Sequence, residues 1–109
     1  MPLILVKTTT NKSLDEAIVH KVTEATMETL GVKADDVAIK FEEADRNILD
    51  LYLYDKKQYP YQQERTADVF EQLKTKIEKI INNETGTIFQ VNLHLMPQER
   101  CFRGGKPRF

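Results

Sequence analysis

Several kinds of residue are scarce in this chain of 109 residues. A single cysteine, Cys101, excludes a disulfide framework and a cysteine-rich metal site. Four glycines and four prolines are too few for a low-complexity segment or a long linker. The net charge is only −1, from 16 basic and 17 acidic residues, so no overall field would attract nucleic acid or a membrane surface.

Long hydrophobic runs are also missing. No apolar run approaches membrane-spanning length, and the N-terminus lacks the basic region and long apolar stretch of a signal peptide. The length suits one domain with a modest core. We therefore expect a single domain over residues 1–109, located in the cytoplasm.

Hydrophobic periodicity predicts four strands and two helices. The predicted elements, in chain order, are a strand over 3–8, a helix over 14–30, strands over 37–41 and 48–54, a helix over 65–81 and a strand over 87–96. Ser13 and Glu16 form a capping box for the first helix, and Gly31 is placed to end it.

The order is βαβ followed by βαβ, with pseudo-repeats at 2–43 and 48–96 and a basic tail at 97–109. Each helix spans a crossover, so the two strands of each unit should be parallel. We predict a two-layer α/β (α+β) fold, in which a four-stranded mixed sheet carries both helices on one face. The other face holds apolar and aromatic residues such as Ile48 and Tyr52, and we expect it to contact other subunits.

Pro2 is the first residue that indicates chemistry. If Met1 is removed, Pro2 carries a free secondary amine, held rigidly by the apolar strand that follows. In a low-dielectric site beside a cation, the pKa of such an amine falls toward neutrality, which suits proton abstraction. The alternative is that Met-Pro is an ordinary beginning and the proline does nothing chemical.

Together with Met1-Pro2 and the doubled βαβ order, three short segments resemble the tautomerase superfamily. Arg65-Thr66-Ala67-Asp68 is similar to the Arg-Ser-Ala-Asp of cis-3-chloroacrylic acid dehalogenase, whose arginine binds the substrate carboxylate. Met96-Pro97 is similar to the Met-Pro that ends the last strand of that enzyme. Cys101-Phe102-Arg103-Gly104-Gly105 resembles the Ser-Phe-Gly-x-Gly segment of long-chain members. Malonate semialdehyde decarboxylase and 4-oxalocrotonate tautomerase are further branches.

The resemblance implies a homotrimer whose N-terminal proline transfers a proton without a cofactor. Pro2 would be the general base and acid, and Arg65 would pair with a substrate carboxylate. If the tail folds over the Pro2 pocket, Arg103 would supply a second cation and Phe102 an apolar wall. The alternatives are a solvated arginine at Arg65 and a mobile terminus.

Three further residues are possible members of the site. Asp36 matches an aspartate of the decarboxylase branch, although a turn or cap role is favoured for it. Tyr59 and Tyr61 can line the pocket, but loop packing is favoured, and they replace the arginine pair of the decarboxylase. Gln62 replaces the second arginine of the dehalogenase, and Arg103 its water-activating glutamate. Both related chemistries are therefore disfavoured.

The predicted function is keto–enol tautomerisation of a small 2-oxo or enol carboxylate, without cofactor or metal. The expected partners are that carboxylate and two further copies of the chain, with no nucleic acid and no membrane. One alternative is a hydratase, dehalogenase or decarboxylase of the same superfamily. Another is a non-catalytic, oligomeric binding module of the ferredoxin-like type, which shares the βαββαβ order.

Overall fold

The computed structural model describes residues 2–9 and 16–97 and, in the tail, the backbone of 102–103 and 106–107. Its elements are β1 (Leu3–Thr8), α1 (Glu16–Leu30), a short 3₁₀ turn (Ala34–Asp36), β2 (Ala38–Glu43), β3 (Ile48–Tyr54), α2 (Ala67–Thr85), β4 (Gln90–Met96), β5 (Phe102–Arg103) and β6 (Lys106–Pro107). No helix within the described ranges is long and apolar enough to cross a membrane.

The main sheet has the strand order β2-β1-β3-β4. Strand β1 is parallel to β2 and β3 is parallel to β4, as the crossover argument predicts. The two central strands, β1 and β3, are antiparallel and join the two βαβ units. The predicted four-stranded mixed sheet with two helices is therefore confirmed. Strands β5 and β6 form a separate antiparallel ribbon.

The core lies between one face of this sheet and the two helices. Alternation along β3 turns Leu49, Leu51 and Leu53 inward, and each has 0% of its surface exposed. The other fully buried apolar side chains of the core include Ile4, Val6, Val22, Leu30, Leu73, Ile77 and Ile81. The helices are also tied to each other, because Lys76 Nζ on α2 donates to Thr29 Oγ1 on α1 at 3.2 Å.

Helix α2 differs from its predicted bounds at both ends. It begins after Thr66, whose Oγ1 accepts a hydrogen bond from Val69 N at 3.3 Å, so Arg65 lies outside the helix. It continues to Thr85 because no helix breaker precedes Gly86, which caps it at φ +69°. In this last part of the helix, Ile81 is fully buried in the core and Ile80 packs against it half-buried. The capping box predicted for α1 lies outside the described residues.

Gly31 ends α1, as predicted, and also touches the loop before α2. Its φ is +68°, and its N–H donates to Met27 O at 2.8 Å. Gln63, in the loop before α2, lies beside this glycine, and its backbone N–H donates to Leu30 O at 3.0 Å. A Cβ added at Gly31 would lie 3.1 Å from Gln63 N, so the lack of a side chain permits this close approach.

Gly31→Ala should destabilise the protein more than Gly86→Ala. Both positions have positive φ, which costs an L-residue about 1–2 kcal/mol. Only at position 31 does the new methyl also press on a neighbouring backbone, whereas nothing lies within 4 Å of it at position 86. We expect urea denaturation to show an additional loss of about 1 kcal/mol or more for Gly31→Ala. Equal losses for the two variants would contradict this account.

Candidate functional site

One end of the main sheet gathers three chain segments. Because β1 runs antiparallel to β3, the start of β1 lies beside the C-terminal end of β3, with Leu3 opposite Tyr52. Pro2 is fully buried there, and its carbonyl accepts a hydrogen bond from Ala38 N at 2.9 Å. The C-terminal end of β4 joins them through Asp55 N, which donates to Met96 O at 3.0 Å.

Arg65 is held at this same end of the sheet by two neutral acceptors. Its Nη1 donates to Tyr54 O at 3.1 Å, and its Nη2 donates to Gln62 Oε1 at 3.4 Å. Its Nε is buried and has no hydrogen-bond partner. Burial lowers the pKa of Arg65 below its usual value, because desolvation disfavours the charged form. No carboxylate in the described part of the chain pairs with it.

The loop that carries Arg65 is folded around the side chain of Gln62, which is only 5% exposed. Gln62 Oε1 also accepts a hydrogen bond from Gln58 N at 2.8 Å, and Gln62 N donates to Tyr59 O at 3.1 Å. Sequence analysis noted Gln62 only for the arginine that it replaces. Its burial depends on the path of the loop, which local sequence does not determine.

Tyr59 and Tyr61 stack on each other, with ring centroids 5.5 Å apart and planes 5° from parallel. Both are about half exposed, so loop packing explains their positions. Lys33 Nζ lies 5.3 Å from the centroid of the Tyr61 ring, which is a cation–π contact. Lys33 was missed by the sequence analysis. Lys33 precedes β2, and the N-terminal end of β2 borders Pro2. This position in the sequence could have indicated that Lys33 lies near the same end of the sheet.

Asp36 closes the 3₁₀ turn before β2. Its Oδ2 accepts a hydrogen bond from Lys33 N at 3.4 Å, which is the turn role that the sequence favoured. The backbone of Phe102 and Arg103 forms β5, but both side chains lie outside the described residues. Their predicted roles therefore stay predictions. Within the described residues, no group of three or more His, Cys, Asp or Glu side chains is arranged to hold a metal ion.

A second polar cluster lies on the sheet face opposite the helices. Asp50 on β3 is 4% exposed and accepts hydrogen bonds from Lys7 Nζ at 3.1 Å and Asn92 Nδ2 at 3.1 Å. It also contacts His94 Nε2 at 3.0 Å, and the His94 ring stacks on Tyr52. Burial pushes the pKa of Asp50 up, but the contacts with His94, Lys7 and Asn92 outweigh it, and the pKa is lowered.

No family model and no curated protein matches this sequence. Solved structures do match. A fused 4-OT protein, solved as an asymmetric trimer, has a TM-score of 0.73 at 14% identity, covering 96% of this chain and 94% of that one. N1, a member of the cis-3-chloroacrylic acid dehalogenase family, has a TM-score of 0.68 at 14% identity, covering 97% and 85%. Macrophage migration inhibitory factor of Toxoplasma gondii has a TM-score of 0.65 at 8% identity, covering 96% of each chain.

The chain has the tautomerase-superfamily fold. The predicted resemblance to that superfamily is thus confirmed for the fold, while the roles inferred from the matched segments stay predictions. In this tautomerase-superfamily fold, the structure brings Pro2 and Arg65 to one end of the sheet, with Tyr59 and Tyr61 on the adjoining loop.

Asp50→Asn should make the free energy of unfolding depend less on pH in the acid range. The pKa of Asp50 is lower in the folded protein than in the unfolded chain, so its carboxylate stabilises the fold at any pH above the ordinary Asp pKa. This stabilisation is lost as the pH falls through the folded-state pKa. We expect Asp50→Asn to cost roughly 1–2 kcal/mol at pH 7, with a smaller deficit at pH 2.5. Urea denaturation across this range measures both. Asp45→Asn, on an exposed turn, is the control. A deficit that stays constant with pH would contradict the prediction.

Proposed function

We propose that the protein is a cofactor-independent keto–enol tautomerase of a small 2-oxo or enol carboxylate. Pro2, freed by removal of Met1, would be the general base and acid. The observation that carries the proposal is Arg65, a half-buried guanidinium that, among the residues the structure describes, has only neutral acceptors and an unpartnered Nε. It lies at the end of the sheet where β1 begins with Pro2. A base and a cation without a counter-ion are the two groups that this reaction needs.

The substrate carboxylate binds Arg65 through the N–H groups that the protein leaves free. A guanidinium is planar and presents its donors as a fork, so it fixes both the position and the orientation of a carboxylate. The carbon next to the carbonyl group is then presented to the nitrogen of Pro2. Tight positioning of this kind removes much of the entropic cost of the reaction.

The nitrogen of Pro2 takes a proton from that carbon and becomes a charged ammonium, while the bonding electrons form an enolate. The ammonium then returns the proton one carbon along, or to oxygen, which regenerates the neutral amine and gives the tautomer. The positive charge of Arg65 opposes the negative charge that develops on the enolate oxygen. Burial of Pro2 and a cation at the same end of the sheet would both disfavour the protonated amine and so favour the neutral base.

Hydrolytic dehalogenation fits the site less well than tautomerisation. Gln62 supplies a buried neutral amide where the dehalogenase has its second arginine, so this loop contributes one cation to the site. The alternative of a non-catalytic binding module differs from the proposed enzyme in what it requires at the N-terminus. It requires no free amine at Pro2, and a retained Met1 would place that nitrogen in a peptide bond.

We also propose that three copies assemble through the sheet face opposite the helices. This open face consists of alternate residues of the four strands, among them Leu3, Leu5, Lys7, Ile48, Asp50, Tyr52 and His94. Leu3, Leu5, Ile48 and Tyr52 are apolar or aromatic and only half-buried in the single chain. The fused 4-OT proteins of similar fold were solved as trimers.

Substitutions at Pro2 and Arg65 should be distinguishable by their effects on KM. Protein with a proline N-terminus, verified by mass spectrometry, should ketonise phenylenolpyruvate or 2-hydroxymuconate. Pro2→Ala should lower kcat by about 100-fold or more, because it replaces the positioned secondary amine. Arg65→Met should raise KM by about 10-fold to 100-fold, through the loss of charged hydrogen bonds to the carboxylate. It should also lower kcat, because the enolate loses an opposing positive charge.

Two controls accompany these variants. Arg46→Met removes an exposed arginine at the β2–β3 turn and should leave both parameters unchanged. Protein that retains Met1 should be inactive, since its Pro2 nitrogen is an amide. If the verified proline form shows no rate above background, the proposed activity is wrong.

Sedimentation velocity should show a species of three chains, each of 12.7 kDa. Ile48→Asp puts a charge on the open face and should shift the protein toward monomer, because a carboxylate resists transfer into an apolar interface. Gln72→Asp, on the exposed face of α2, is the control for added charge. Circular dichroism separates dissociation from unfolding. A stable wild-type monomer would exclude the proposed assembly.

A further inference from the structure

We propose that Gln62 is a positioning residue, whose buried carboxamide orients the guanidinium of Arg65 without neutralising it. This inference rests on the proposed function, in which Arg65 binds the substrate carboxylate. Sequence comparison treats position 62 as the loss of an arginine. The contacts of Gln62 assign it a role of its own.

The first argument is that Gln62 is built into the loop as a fixed acceptor. Its side chain is 5% exposed, and its Oε1 accepts from Gln58 N at 2.8 Å and from Arg65 Nη2 at 3.4 Å. The backbone N–H of Gln62 donates to Tyr59 O at 3.1 Å. A buried amide oxygen that serves two donors has little freedom to rotate, so it defines where Nη2 can lie.

The second argument is that the guanidinium is held from two sides. Tyr54 O, at the end of β3, accepts from Nη1 at 3.1 Å, while Gln62 Oε1, in the loop, accepts from Nη2. Two acceptors from different elements fix the plane of a rigid group. The Nε of Arg65 then stays without a partner. If Gln62 lost its acceptor, the plane would be held by the strand carbonyl alone.

The third argument concerns charge. The neighbouring Glu64 is paired with Lys57, whose Nζ lies 2.7 Å from Glu64 Oε1, so that carboxylate is occupied elsewhere. A carboxylate at position 62 would instead form an ion pair with Arg65 and compete with the substrate. The amide accepts a hydrogen bond yet carries no charge. Gln62 therefore orients Arg65 while leaving its positive charge available for an anion.

The test compares Gln62→Met and Gln62→Glu. The Met variant keeps the volume and removes the acceptor, and we expect it to raise KM for phenylenolpyruvate by about fivefold to tenfold. The Glu variant keeps the shape and adds a competing charge, and we expect about a 100-fold rise. The Met variant should change kcat by less than about twofold, because Pro2 and the charge of Arg65 are both untouched. The Glu variant should also lower kcat, because an Arg65 paired with a carboxylate no longer disfavours the protonated amine. Calorimetric titration with benzoate gives a second readout of carboxylate affinity that needs no turnover.

A double-mutant cycle separates positioning from a merely structural role. In the Arg65→Met background, Gln62→Met should add no further rise in KM or in the Kd for benzoate, because the group it orients is gone. Gln63→Met is the matched control, since the side chain of Gln63 is exposed and is not one of the hydrogen-bond acceptors of Arg65.

The possible failures are distinguishable. If Arg65→Met leaves both KM and the Kd for benzoate unchanged, the proposed function fails at its binding step. If Arg65→Met weakens binding but neither Gln62 variant does, the positioning role alone is wrong. A Gln62→Met variant that loses thermal stability and kcat with an unchanged KM also overturns it, because that pattern indicates only a packing role.

Discussion

The antiparallel pairing of β1 with β3 is the constraint on which the site depends. Each of these central strands has a parallel partner at its other edge, so their mutual direction decides how the two βαβ units meet. With this direction, Pro2 lies beside the end of β3, where Arg65 is bound to Tyr54 O. Parallel pairing would move Pro2 to the opposite end of the six-residue strand, about 20 Å away. A proton-transfer site at this end of the sheet requires the antiparallel arrangement.

The buried Asp50 and the half-buried Arg65 have opposite electrostatic surroundings. Asp50 has partners on the two neighbouring strands, Lys7 on β1 and Asn92 and His94 on β4, so its charge is compensated and its pKa is lowered. Arg65 has neutral acceptors and an orphaned Nε, a state that costs about 1–3 kcal/mol for the missing hydrogen bond. The first arrangement stabilises the sheet. The second leaves the charge of Arg65 uncompensated within the described residues, which is the contrast that favours Arg65 over Asp50 as the proposed binding residue.

The sequence predicts the parts of the molecule that local patterns determine. The bounds of β1 and β3 agree residue for residue, because short runs rich in apolar and aromatic residues with flanking polar turns define them. Helix α2 was misplaced because Thr66 is a good N-cap directly after Arg65, and because Asn82–Thr85 contains no residue that ends a helix. The burial of Gln62 and the contact of Lys33 with Tyr61 were not predictable. They follow from the docking of the loop on Gly31, which is a tertiary contact.

Arg65 unites the two demands that the proposed reaction makes on the protein. A guanidinium stays charged in proteins even where burial lowers its pKa, so partial desolvation strengthens its attraction for a carboxylate instead of neutralising it. In the proposed enzyme, the same positive charge, at the end of the sheet that holds Pro2, would disfavour a second cation there and so favour the unprotonated amine. Substrate affinity and the readiness of the base therefore have one physical origin. Gln62 matters for the same reason, because an acceptor that carried charge would weaken both at once.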